Sequence, residues 1–301
     1  MPTKLLFYLL LYPLSLLPMW VLYGLAYIFY LVANYLIRYR KNVIIDNLKK
    51  SFPEKSEREL RQIRRNYYHH LAQLAAEMLK MLTLSRKMLR KRYYCRNAEL
   101  VNRYFEQGKS VILMSSHYNN WEWLVLSLDS QFKHHGIGVG KANSNKVFEL
   151  LINRARTRYG TEVVFADTVR HTFQHYENQH IPVAYMMLSD QSPNNIDKSY
   201  KTWFLHQPSG IIYGGEYFAK KYNIPVLYYQ VIKDRIGHYH IDIKLITDKP
   251  QETAYGEIIE KYVQLLEETI RHKPQYWLWS HRRWKRKVDE ASLYSFSSSN
   301  R

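Results

Sequence analysis

The chain has 301 residues and a formal net charge of +18, from 44 Lys and Arg against 26 Asp and Glu. A hydrophobic fraction of 46% suffices for a sizeable core, and the single cysteine, Cys95, excludes an intramolecular disulfide and a cysteine-based structural zinc site. The charge attracts polyanions, whether nucleic acid, anionic lipid or an acidic protein, without choosing among them.

The amino terminus chooses. Between Lys4 and Arg38 there is not one Asp, Glu, Lys, Arg or His. A bilayer core about 30 Å thick needs about 20 apolar helical residues. Met19 to Ile37 meets that length, with Leu5 to Leu17 as a kinked extension or interfacial segment, and Pro13 and Pro18 dividing the two. The basic flank Arg38, Arg40, Lys41 places the following chain on the cytoplasmic side. A cleaved signal peptide fits less well, because the apolar stretch is long and no small-residue cleavage site follows it. The 27 Tyr and 7 Trp are a load of the kind favoured at membrane interfaces. The expected division is therefore an anchor over 1–40, a folded domain over 41–290 and a disordered Ser-rich tail over 291–301.

After the anchor, Asn42 to Ser51 reads as a helix, and Ser56 with Glu59 has the form of a capping box opening a long helical run. Beyond Gly108, short apolar runs alternate with helical stretches. That pattern predicts an α/β fold with a mainly parallel central sheet of about seven strands flanked by helices. The candidate strands are Ser110 to Ser115, Ile137 to Lys141, Glu162 to Ala166, Val183 to Leu188, Lys201 to Leu205, Val226 to Lys233 and Tyr239 to Ile246. Helices are expected over Val147 to Tyr159, Tyr213 to Tyr222 and Gly256 to His272, the last with Ile259, Val263, Leu266 and Ile270 on one face.

The segment SVILMSSHYNNWEWLVL, residues 110–126, carries the candidate chemistry: an apolar strand, two serines, His117, and then Glu122 at what reads as a helix start. Five residues are about 140° around a helix, so His117 and Glu122 meet only if His117 lies in the loop ahead of it. Asn119 or Asn120 suits the cap, which puts Glu122 in the first turn. The carboxyl end of a parallel strand is also where α/β folds place their ligands. A carboxylate bonded to the histidine raises its basicity and leaves the other ring nitrogen free to take a proton from a hydroxyl, and the helix start offers N–H groups to a developing oxyanion. Spacing alone is not diagnostic: 13 histidines and 26 acids in 301 residues yield roughly one His-x4-acid pair by chance. Asn119-x-x-Glu122 is equally a plain helix cap. Ser115 and Ser116 lack the Gly-x-Ser-x-Gly elbow and Cys95 lacks an activating motif, so a covalent nucleophile is not expected. The pairs His69-His70 and His134-His135 lack metal-ligand spacing with a third partner.

The block His117-Tyr118-Asn119-Asn120-Trp121-Glu122 resembles the His-x4-Asp/Glu block of the lysophospholipid acyltransferase superfamily, in the Asn-Trp-Glu form of its lipid A late (lauroyl and myristoyl) acyltransferase branch. Three further segments agree in order: Arg158-Tyr159-Gly160 with an Arg-x-Gly block, Asp190-Gln191-Ser192-Pro193 with an Asp-x-x-Ser/Pro block, and PQYWLWSHRRWK (274–285) with a terminal Trp-x-Trp-x-His-x-Arg-Trp signature. The resemblance implies that His117 is the general base and Glu122 its orienting carboxylate, with Arg158, Gly160 and Asp190 in substrate or carrier binding. It further implies an acyl carrier protein donor, a lipid A precursor as acceptor, association with inner membrane lipids, and neither metal nor organic cofactor. By residue chemistry, Arg158 suits a phosphate but equally a helix-end cation, and Asp190 ends an apolar strand but also opens a Ser-Pro turn. Trp277, Trp279 and Trp284 read as core or interface residues, and the cluster Arg282, Arg283, Lys285, Arg286, Lys287 as a landing site for anionic headgroups or carrier, or as a solvated tail.

The segment SPNNIDKSYKTWFLHQPSG after Asp190 departs from the Lys/Gly loop of many relatives. An acyltransferase acting on a glycerolipid or lipoamino acid is the nearest alternative, opposed by the Trp-rich signature. A non-catalytic, membrane-tethered basic protein is the other, and no nucleic-acid-binding motif supports it.

Overall fold

The computed structural model describes residues 2–142 and 145–294. Its strands are β1 (Tyr93–Cys95), β2 (Val111–Ser115), β3 (His135–Gly140), β4 (Glu162–Phe165), β5 (Val183–Leu188), β6 (Ser199–Phe204), β7 (Gln207–Ile212), β8 (Val226–Arg235) and β9 (His238–Thr247). Seven of them form one curled sheet in the order β1-β9-β8-β2-β5-β3-β4. Strands β8, β2, β5, β3 and β4 run parallel, while β9 returns antiparallel on β8 and β1 pairs with β9 at the edge. All of Val111–Ser115 and most of Val183–Leu188 are buried, as parallel strands covered on both faces require.

The expected number of sheet strands is present, but the membership differs. Lys201 to Leu205 does not enter the sheet; it forms a separate antiparallel hairpin with β7. The turn is Leu205-His206, with φ of 49° and 61°, which is the two-residue geometry that matches strand twist. Leu205 is not a usual left-handed residue and the pair holds no Gly, Asn or Asp, so no strong turn signal marks it. The vacated place in the sheet goes to the short strand β1.

The helices are α1 (Pro2–Leu6), α2 (Tyr12–Leu16), α3 (Met19–Leu31), α4 (Lys41–Ser51), α5 (Glu57–Met81), α6 (Arg86–Arg92), α7 (Glu99–Glu106), α8 (Trp121–Gln131), α9 (Lys146–Thr157), α10 (Val169–Asn178), α11 (Gly214–Tyr222) and α12 (Glu257–His272). The reciprocal capping box at Ser56 and Glu59 opens α5. The break in the apolar terminus falls at Leu17-Pro18, both extended, whereas Pro13 is accommodated in the first turn of α2.

The apolar terminus does not stand apart from the domain. Helix α3 runs antiparallel along α5: the Tyr30 ring meets His69 edge-on at 5.4 Å, and the Tyr23 hydroxyl donates to Glu77. Beyond its start, Lys80 Nζ donates to the carbonyls of Ser15 and Leu17. The opposite face is bare, with Trp20, Leu25, Ile28, Phe29 and Leu36 exposed. The stretch Met19–Leu36 is long and apolar enough to cross a membrane.

The aromatic load is divided between that surface and the interior. Tyr67, Tyr93, Tyr185, Tyr229, Tyr239, Tyr262, Trp123 and Trp279 are fully buried core residues. The start of the expected tail is also ordered: Tyr294 donates its N–H to Lys201 O and stacks on Tyr200 at 5.1 Å. The remainder of that tail, 295–301, lies outside the described residues.

Candidate active site

Strands β2 and β5 are neighbours in parallel register, with Ser115 opposite Leu188. Each chain then leaves the sheet at its carboxyl end, and two residues further on His117 stands beside Asp190. Asp190 Oδ1 accepts a hydrogen bond from His117 Nδ1 at 2.8 Å, and its Oδ2 accepts from the His117 backbone N–H at 3.0 Å. A third donor arrives from the far end of the chain: Trp277 Nε1 donates to Oδ2 at 2.8 Å. Burial alone would raise the Asp190 pKa. The His117 ring, Trp277 and the His117 N–H outweigh it and hold the carboxyl below its ordinary value. With Asp190 ionised, Nδ1 is the donor and Nε2 carries the lone pair. The His117 side chain is 19% exposed while that of Asp190 is 1% exposed, so the ring is the accessible member.

The loop between β2 and α8 is folded by its two asparagines. Asn119 has φ 56°, a conformation Asn tolerates better than most residues, and donates from Nδ2 to Val231 O. Asn120 is the cap of α8, its Oδ1 accepting from Trp123 N at 2.9 Å. The main chain here pairs with the terminal tryptophan signature, Tyr118 bridging Trp277 and Asn119 N donating to Tyr276 O.

Glu122 does lie in the first turn of α8, but the carboxylate on His117 Nδ1 is Asp190. Glu122 instead receives Arg156 of α9 as a fork: Nε to Oε2 at 2.8 Å and Nη2 to Oε1 at 2.7 Å. This is a correction to the expected dyad, and its cause is topological. Parallel strand ends carry His117 and Asp190 side by side, while the capped start of α8 directs Glu122 to the neighbouring helix. Burial would lower the Arg156 pKa, but the Glu122 carboxylate more than compensates and leaves it raised.

Arg158 and Gly160 have other hydrogen-bond and packing partners. Arg158 donates from Nη1 to Leu82 O at 2.7 Å and from Nη2 to Leu84 O, while the Tyr159 hydroxyl also donates to Leu84 O. The three groups clamp the chain that leaves α5. Gly160 turns with φ 114°, and a Cβ there would overlap Asp129 Oδ2. Neither residue is hydrogen-bonded to His117, Glu122 or Asp190.

Two residues that join the site were not assigned to it from sequence. Arg156 lies beside buried Ala155 on α9 while Arg154 is exposed, and a half-buried cation on an inner helix face signals a paired acid. Trp277 read as core; it is buried, but its indole N–H is spent on Asp190. The rest of the signature lies close behind. Ser192 N donates to His281 Nε2 at 3.3 Å, and burial pushes the His281 pKa down to about 4. Buried Arg283 donates to Gly210 O.

A part-exposed imidazole backed by a buried carboxylate, at the carboxyl ends of parallel strands and on a domain with a bare apolar flank, defines an α/β enzyme equipped for proton transfer beside apolar material. The chain belongs to the bacterial lipid A biosynthesis acyltransferase family, whose model matches residues 3–286, nearly the whole of it. It is an acyltransferase, and its family implies an acyl donor and a lipid A precursor. No curated protein matches the sequence.

Proposed function

We propose that the protein moves a fatty acyl chain from an acyl carrier protein thioester to a hydroxyl of a lipid A precursor, at the cytoplasmic face of the inner membrane, with His117 as general base. The observation that carries the reading is the 2.8 Å bond between His117 Nδ1 and Asp190 on a ring that remains part-exposed. Nε2 takes the hydroxyl proton as the oxygen attacks the thioester carbonyl. The tetrahedral oxyanion collapses, the C–S bond breaks, and the leaving thiolate receives the proton from the imidazolium. Asp190 holds the tautomer and stabilises the imidazolium, and the positive end of α8 favours the developing oxyanion. The Glu122–Arg156 pair supports the site from α9 without acting on the ring.

Membrane association is supported by the bare apolar face of α1–α3. Beside it, Met19, Trp20 and Tyr23 share a cleft with Lys80, Arg92 and Arg235, a mixture of greasy wall and cations suited to anionic lipid. The charge of +18 suits an acidic carrier protein.

The test is a single-turnover assay with purified protein, an acyl carrier thioester and a lipid A precursor, read by mass spectrometry of the lipid. Transfer by the wild type and its loss in His117→Ala support the proposal; undiminished transfer by His117→Ala ends it.

A further inference from the structure

We propose that Glu77 of α5 is a positioning residue for acyl transfer, tying the apolar amino-terminal helix to the loop that presents His117; this rests on the general-base reading of His117. Glu77 is completely buried. Its carboxylate accepts three hydrogen bonds from three distant parts of the chain: the Tyr23 hydroxyl of α3 at 2.9 Å, the Tyr239 hydroxyl of β9 at 2.8 Å, and Asn120 Nδ2 at 2.7 Å. Its backbone carbonyl accepts Trp123 Nε1 at 3.0 Å. Burial raises the Glu77 pKa, and Lys233, bonded to Gln73 Oε1 one turn back on α5, offsets part of that rise.

Asn120 Nδ2 can only donate and both tyrosine hydroxyls donate here, so the oxygen that faces Asn120 has to be an acceptor. Asn120 is consequently held at both ends. Its Nδ2 is fixed on Glu77, which leaves Oδ1 to cap α8 at Trp123 N. Trp123 is in turn held at its backbone by that cap and at its indole by the Glu77 carbonyl. One residue of α5 thereby sets where α8 begins, and with it the loop that carries His117 three residues earlier. A buried carboxylate contributes little net stability compared with an apolar side chain of the same volume, whereas its directional bonds fix geometry. The Tyr23 bond brings α3, the helix with the bare apolar face, onto the same two oxygens. Glu77 touches no reacting atom and acts only through Asn120 and Trp123.

The experiment is a reciprocal swap with steady-state kinetics on the full-length protein in detergent or lipid, using an acyl carrier thioester. Glu77→Gln turns an amide toward a donor, and Asn120→Asp sets two carboxylates together while retaining a good cap oxygen. Each is expected to lower kcat about 10- to 100-fold, with KM for the thioester moved less than about twofold, as for loss of alignment rather than of binding. The double substitution re-creates one donor and one acceptor across the contact and is expected to recover most of kcat. Tyr23→Phe removes a single bond and is expected to lower kcat about fivefold. Wild-type kcat in either folded single variant, or a double variant no better than the worse single one, overturns the proposal. Should Glu77→Gln fail to fold, Asn120→Asp carries the test alone, since it leaves Glu77 in place. His117→Ala run in parallel separates the two ideas: activity retained there defeats the general-base reading, while activity lost there and unchanged in Glu77→Gln defeats only this inference.

Discussion

Asp190 and Glu122, two of the buried acids near the loop that opens α8, have opposite kinds of partner. Asp190 spends its oxygens on a ring that can gain and lose a proton, its backbone N–H and an indole. Glu122 spends both of its oxygens on a guanidinium that cannot be deprotonated. In the proposed mechanism the first arrangement supports chemistry, while the second ties α8 to α9. The carboxylate nearer His117 in sequence is the one paired with Arg156, because it lies in the first turn of α8, facing α9.

The comparison breaks most directly at Asp190. Asp190→Asn presents an amide to His117 Nδ1 and favours the wrong tautomer, so turnover is expected to fall about 10²- to 10⁴-fold. Single-turnover rates check this, and a rate within tenfold of wild type would give Asp190 the same structural standing as Glu122. Glu122→Ala is expected to act first on stability, because it leaves half-buried Arg156 without its carboxylate at a cost of about 1–3 kcal/mol. Urea unfolding should show the loss, and adding Arg156→Ala should recover part of it, a recovery with no counterpart at Asp190.

A comparable effect is expected at Gly160, where an added Cβ meets both a left-handed backbone and Asp129. Gly160→Ala should cost about 1–3 kcal/mol in urea unfolding and leave the KM for the acyl thioester unaltered. A raised KM with unaltered stability would restore Gly160 to substrate binding. The mildest test is pH. Burial holds folded His281 at about 4 against 6.5 for the free side chain, so the unfolded chain takes up the proton first. Its contribution is complete above about pH 6.5 and is lost as the pH falls toward 4. His134, also pushed down to about 4 by burial, adds to the same slope. Urea midpoints from pH 7 to 5 should therefore fall less steeply in His281→Gln than in the wild type.

Much of the fold is legible in residue order. Val183 to Leu188 is a strand with the bounds its apolar run suggests, and the capping box at Ser56 opens α5. The hairpin β6–β7 was not legible, since its turn residues Leu205 and His206 adopt positive φ with no Gly, Asn or Asp to signal it. In the site, His117 and the asparagine cap were readable from the strand-loop-helix pattern, and Asp190 was marked as a strand-end acid. The bond between them was not, because it depends on β2 and β5 being neighbours in register, and strand order is not written locally. The same holds for Trp277, which comes 87 residues after the aspartate it contacts.

Residue order by itself determined the alternation of strands and helices, the apolar terminus and the histidine at a strand's end, since each follows from local periodicity and composition. Only the tertiary structure decided which acid serves His117, which arginine neutralises Glu122, and that the apolar helix meets the loop through Glu77. Those choices are contacts between segments far apart in the chain, and hydrogen bonds of about 3 Å are set by how the sheet and helices pack.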